Sequence, residues 1–168
     1  MESRIKLMGH SVHQQLVVFP LGLLATAVIF DLLRWFSGNS QWTVVSLYLI
    51  GAGTLAGVVA ALFGWIDWLK IPKGTRAYNV GTMHGIGNAL VLLLFAGSFA
   101  LRRDVPENPP TLALICSYAG GALAVFTGWL GGELVARLGV GVDDAANLNA
   151  PSSLRQPRHL RTPNPHFP

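Results

Sequence analysis

Four stretches of the chain, residues 7–30, 43–66, 77–101 and 108–132, run without one charged side chain, and each is 24 or 25 residues long. A helix rises about 1.5 Å per residue, so about 20 apolar residues cross a hydrocarbon layer of ~30 Å. An amphipathic helix of a soluble domain would break such a run with a polar face every few residues. Composition agrees: 51% of the 168 residues are hydrophobic and 12% charged, against roughly 25% charged in soluble domains. The expectation is an all-α, four-helix transmembrane bundle.

Spans are expected near 15–36, 42–69, 78–101 and 111–138. The separators read as helix ends: Ser37-Gly38-Asn39-Ser40, then Ile71-Pro72-Lys73-Gly74, then Arg102 and Arg103 running to Pro109-Pro110. Links this short require an up-down-up-down order. Ala25-Thr26-Ala27 imitates a signal-peptide cleavage site, but the apolar run continues to Leu33 and is long enough to remain as a span. Residues 1–142 form the membrane domain. Residues 143–168 are expected to be a disordered tail, with the alternative that its Arg155, Arg158 and Arg161 hold anionic lipid or a partner subunit.

Nine of the twelve Lys and Arg residues fall on the side that holds both termini, and only Arg34, Arg102 and Arg103 on the other. Positive charge marks the cytoplasmic side, so both termini are expected there, in a bacterial inner membrane. The basic residues are scattered among apolar runs, which excludes a nucleic-acid partner; membrane lipids and other membrane or redox subunits are the expected partners. Lone Cys116 excludes an intramolecular disulfide and a multi-cysteine cluster. Trp35 and Trp42 fit one interfacial belt and Trp65, Trp68 and Trp129 the other. Asp31 and Arg34, three residues apart, are expected to pair with each other. The third loop, with its two Arg, reads as an ordinary solvated connection. Three glycine steps, Gly53/Gly57, Gly81/Gly85 and Gly128/Gly132, are expected to let helices approach closely.

Helix packing leaves a set of ionisable groups unexplained. His10 and His13 precede the first span, Asp67 ends the second, His84 lies two turns into the third with Asn88 one turn deeper, and Glu133 lies one turn inside the end of the fourth. All belong to one leaflet, and polar groups inside a span are costly enough to mark sites. Locally, Asp67 can instead pair with Lys70, and Glu133 with Arg137. Two site chemistries follow. Haem b can sit between His10 or His13 and His84, with Asn88 and Trp129 beside it; a divalent metal ion can be held by His10, His13, His84, Glu133 and Asp67. A cofactor-free anchor or assembly subunit is the third reading. Proton or ion conduction ranks last, because the ionisable cluster occupies a single leaflet. Nothing in the pattern makes the chain an enzyme on its own.

The motifs Gly9-His10-x-x-His13-x-x-Leu16-Val17-x-Phe19-Pro20, Gly64-x-x-Asp67-Trp68, His84 with Asn88, and Gly128-Trp129-Leu130-Gly131-Gly132-Glu133-Leu134-Val135 resemble a widespread bacterial family of predicted four-helix membrane proteins catalogued as a domain of unknown function. Ser11 and Gln14 stand where members often carry Pro. Relatives joined to Rieske-type or cytochrome c domains imply a redox setting. By position, the resemblance carries over to His10, His13, Asp67, His84 and Glu133.

Overall fold

The computed structural model describes residues 1–154; Arg155, Arg158 and Arg161 of the expected tail lie outside them. The chain opens with a small hairpin, β1 (Lys6–Leu7) paired antiparallel with β2 (His10–Ser11). Met8 and Gly9 form its two-residue loop, at φ 53° and 86°. A tight hairpin turn of this hand needs positive φ at both positions, which Gly supplies without strain. The sequence reading contained no strand here.

Helices follow: α1 (Val12–Leu16), α2 (Val18–Ser37), α3 (Gln41–Trp68), α4 (Arg76–Arg102) and α5 (Thr111–Gly132), the last continued by a π turn over Glu133–Arg137. Pro20 has no N–H for the carbonyl of Leu16, and the helix is interrupted at Val17 between α1 and α2. The two still run on as one span, Val12–Ser37. Gly38, at φ 71°, ends α2 by donating its N–H to Arg34. Pro72 prevents α3 from continuing, and Thr75 caps α4 by accepting the Tyr78 N–H.

Among the described residues, four helices are long and apolar enough to cross a membrane. They form an antiparallel bundle in which α2 packs closely on α3 and α4 on α5, while α2 meets α5 only sparsely. Leu24, Ala27, Ile50, Val91 and Phe95 form the apolar core at mid-height. Large apolar side chains such as Leu62, Leu93 and Val125 point outward. In water such a surface would aggregate; against acyl chains it costs nothing. Trp35, Trp65 and Trp129 lie exposed at the rims, whereas Trp42 packs on Phe30 and Trp68 on Tyr78.

Three of the six expected glycines do pack helices. A Cβ on Gly53 would stand 2.8 Å from Leu24, one on Gly57 2.5 Å from Leu92, and one on Gly81 3.1 Å from Trp68. The other three, Gly85, Gly128 and Gly132, correct the expectation, since apart from their chain neighbours and their own helix backbone no described atom would lie within 4 Å of an added Cβ. The close approaches lie instead at glycines outside those steps: Gly87 against Thr127, Gly120 against Phe95 and Gly121 against Val28.

We call the end holding the N-terminus the terminal end and its opposite the distal end. After the π turn the chain folds back over β1 and β2. Gly141 donates to the Met1 carbonyl, Asp143 lies 3.6 Å from Lys6 and the Ser153 hydroxyl bonds the Met8 carbonyl at 2.9 Å. Residues 143–154, expected as free tail, are therefore laid across the terminal end.

Gly57→Leu is expected to destabilise the bundle by about 1–3 kcal/mol through overpacking. Gly85→Ala should stabilise it by about 0.5–1 kcal/mol, because helix propensity is gained and nothing is displaced. Thermal melts in detergent monitored by circular dichroism measure both.

Candidate functional site

Polar groups gather in two layers, one at each end of the bundle. Eighteen residues, five helical turns, separate His13 from Asp31, Gly64 from Ser46, His84 from Arg102 and Gly131 from Ala113. At 1.5 Å per residue that is about 27 Å, close to one hydrocarbon thickness. Five whole turns also return a side chain to the same helix face, so the two layers point at the same interior.

At the terminal end, His13 from α1 places Nδ1 2.9 Å from the Ala60 carbonyl of α3. His84 from α4 places Nδ1 2.9 Å from the Thr127 carbonyl of α5. A carbonyl can only accept, so Nδ1 carries the proton in each ring and Nε2 keeps its lone pair. Glycines make both seats. A Cβ on Gly64 would stand 2.8 Å from Cε1 of His13, and one on Gly131 would stand 3.1 Å from Cε1 of His84. The Asn88 amide nitrogen lies 3.2 and 3.3 Å from the two ring nitrogens of His84 and donates to the His84 carbonyl at 2.9 Å. The Thr127 hydroxyl reaches Asn88 Oδ1 at 3.1 Å.

The remaining expected site residues are engaged elsewhere. His10 is exposed, with Nδ1 3.2 Å from the Met8 carbonyl in its own hairpin. Asp67 accepts from the Ser3 hydroxyl and the Arg4 N–H, which anchors the N-terminal segment to α3; its expected neighbour Lys70 donates to the Glu2 carbonyl. Glu133 bonds Arg76 at 2.7 Å across the start of α4 rather than Arg137. Here the π turn, closed by the Leu138 N–H on the Glu133 carbonyl, replaces the α-helical register on which an i, i+4 pair depends. Trp129 is 60% exposed and stacks on Phe126, on the face of α5 opposite Thr127. Among the described residues, no three His, Cys, Asp or Glu side chains gather into a group that could hold a metal ion. The set of His10, His13, His84, Glu133 and Asp67 is thus separated into two imidazoles seated on different helices, one exposed ring and two surface-side anchors.

The distal layer corrects two readings. Asp31 pairs not with Arg34 but with Arg102, both side chains wholly buried, through Nη1–Oδ1 at 2.8 Å and Nη2–Oδ2 at 3.0 Å. Arg34 bonds the Gly38 carbonyl instead. Ser46 of α3, Ser98 of α4, and Ser117 and the Ala113 carbonyl of α5 complete the network, so every long helix contributes. Arg102, read as part of a solvated loop, is the most deeply buried charge, and ionisable groups occupy both leaflets rather than one. Sequence did offer a signal: the five-turn spacing back to His84.

What the geometry defines is a helical membrane-spanning bundle with two carbonyl-bonded imidazoles toward one end and a buried ion pair at the other. Residues 9–144 match the family described as "Predicted membrane protein (DUF2231)", and the chain belongs to that family. No curated protein and no solved structure matches it.

Arg102→Met should destabilise the fold by about 3–5 kcal/mol by leaving Asp31 charged and unpaired. The double variant Asp31→Leu/Arg102→Met is expected to recover most of that loss. A double-mutant cycle on thermal melts in detergent reads the coupling directly.

Proposed function

We propose that this protein is a redox-related membrane subunit that binds b-type haem between His13 and His84, in a bacterial inner membrane with both termini cytoplasmic. The single observation that carries the reading is two imidazoles from different helices, each held at Nδ1 by a main-chain carbonyl of a neighbouring helix; the Nε2 lone pair of His13 has no hydrogen-bond donor among the described residues, and that of His84 faces only the Asn88 amide, which would turn aside for Nε2 to bind iron. Fixing one ring nitrogen orients the ring and raises the basicity of the other, which is the arrangement metal-binding histidines use. The number of ligands favours haem over a bare metal ion. A structural zinc site takes four protein ligands and a catalytic one three, whereas haem iron needs only two axial ones. The bound haem would supply a one-electron carrier. The chain's own residues hold and orient: Ala60 and Thr127 carbonyls fix the tautomers, Asn88 braces the His84 ring, and Gly64 and Gly131 leave room for both rings.

A cofactor-free anchor is the second reading, favoured by the fact that each ring already has a hydrogen-bond partner. Absorption spectra of the purified protein, oxidised and dithionite-reduced, distinguish the two. Haem bands are expected in the wild type, and they should disappear in both His13→Ala and His84→Ala but persist in His10→Ala. Bands that survive in His84→Ala, or a wild type that takes up no haemin on reconstitution, overturn the proposal.

The orientation rests on charge. Burial of Arg102 leaves only Arg34 and Arg103 as basic side chains facing solvent at the distal end, which sharpens the asymmetry that directs insertion. A C-terminal alkaline phosphatase fusion should be inactive in cells and a fusion in the 103–110 loop active; the reverse pattern rejects cytoplasmic termini.

A further inference from the structure

The sparsely packed seam between α2 and α5 holds a feature that the histidine layer does not use. Where Gly121 meets Val28 the two helices touch closely. One turn toward the distal end they part around a cleft of about 220 Å³, lined by Asp31, Arg34 and Trp35 of α2, Leu114 and Tyr118 of α5, and Pro109. Thr43 near the start of α3 also lines it, and with Pro109 just before α5 places it at the distal rim of the bundle, within reach of a molecule dissolved in the membrane.

Three properties of the cleft describe its occupant. Its walls are mainly apolar, through Trp35, Leu114 and Pro109. Its polar groups have unused capacity: the Tyr118 hydroxyl is buried with no partner among the described residues, and Asp31 Oδ1 receives Arg102 alone, whereas Oδ2 receives both Arg102 and Ser117. A hydroxyl can donate once and accept twice, and a carboxylate oxygen can accept twice, so both can take a further bond. A buried hydroxyl without a partner calls for an explanation, and a ligand supplies one. The third property is charge. The Asp31 carboxylate is neutralised by Arg102, and Arg34 at the rim is tied to the Gly38 carbonyl. An anionic phosphate would therefore lie against a carboxylate with little in return, while a neutral head that both donates and accepts would satisfy Asp31 and Tyr118 together.

We propose that the cleft binds the head of a membrane-dissolved hydroxylated or carbonyl-bearing ring of the quinol–quinone class. Its volume is below the 300–1,000 Å³ of pockets that enclose whole drug-sized ligands, so the ring enters and an alkyl tail stays among the acyl chains. Tyr118 donates to a ring oxygen, a quinol hydroxyl donates to Asp31 Oδ1, and Trp35 and Leu114 pack on the ring. The site lies about 27 Å from the histidine layer along the helices and its occupancy does not require a haem.

The test uses the purified full chain in phosphatidylcholine nanodiscs, titrated with decylubiquinone, which accepts from Tyr118, and with its reduced form decylubiquinol, which also donates to Asp31 and is expected to bind at least as tightly, while tryptophan fluorescence is followed. Saturable quenching is expected, with most of the saturable part lost in Trp35→Phe. Tyr118→Phe, which keeps the ring and removes the donor, should weaken binding by about three- to tenfold, and Leu114→Trp should abolish it by filling the cleft. Quenching that rises linearly without saturation, or equal affinity in the wild type and Tyr118→Phe, overturns the proposal. So does loss of the signal on adding phosphatidylglycerol, which would make a phospholipid head the occupant. Haem absorbance is recorded on the same samples, so failure of the histidine reading and failure of this one appear as separate outcomes.

Discussion

A guanidinium and a carboxylate buried together inside a spanning bundle must draw their partners from the protein, because acyl chains offer none; Arg102 finds them for Nη1 and Nη2, while its Nε has none among the described residues. The Asp31–Arg102 pair imposes that condition on the whole distal half. Ser46, Ser98, Ser117 and the Ala113 carbonyl must all turn inward to meet it. That fixes the rotation of α2, α3, α4 and α5 about their own axes. Once the rotations are set, the glycines that face a neighbour follow, as does the seam where α2 and α5 part. Buried ion pairs contribute little net stability when compared with apolar replacements, and their value lies in excluding other arrangements. Here the excluded alternatives are helix rotations that would leave Arg102 in lipid.

The terminal layer is built on the same faces, five turns away, by weaker means. Two imidazoles seated on glycines and tied to carbonyls replace a charge pair, and the hairpin with residues 139–154 roofs that end. Between the layers lie Leu24, Ala27, Ile50, Val91 and Phe95. A proton relay needs hydrogen-bonding groups at every step, and this apolar core interrupts any chain of them. The proposed haem site and the proposed ligand cleft do not need such a chain.

Much of this architecture was legible in advance because the bilayer imposes it. Uncharged runs of fixed length give the spans, Gly and Pro mark their ends, and short links set the order. The histidine pair was partly legible: His13 and His84 stood out because polar groups inside spans are costly. What the pattern did not show was that His10, Asp67 and Glu133 would be taken up by the N-terminal segment and Arg76. Each is near enough to an interface to find a local or solvent-side partner, and depth in sequence does not report azimuth. The distal layer was misread for a related reason. Asp31 has Arg34 three residues away, a pairing that helix geometry permits, and Arg102 stood at the end of a span where a long side chain ordinarily reaches for water.

Sequence alone determined that the chain forms four membrane-length helices, where they begin and end, and which side chains are too polar to face lipid. Only the tertiary structure decided which of those side chains meet: Asp31 with Arg102 rather than Arg34, Glu133 with Arg76 rather than Arg137, and glycines such as Gly87 and Gly121 rather than Gly85 and Gly128 at the close approaches. The physical reason is that crossing a bilayer is a property of each segment by itself, governed by length and hydropathy. Pairing depends on how the segments are rotated against one another, and that is settled by packing and by partners far apart in the chain.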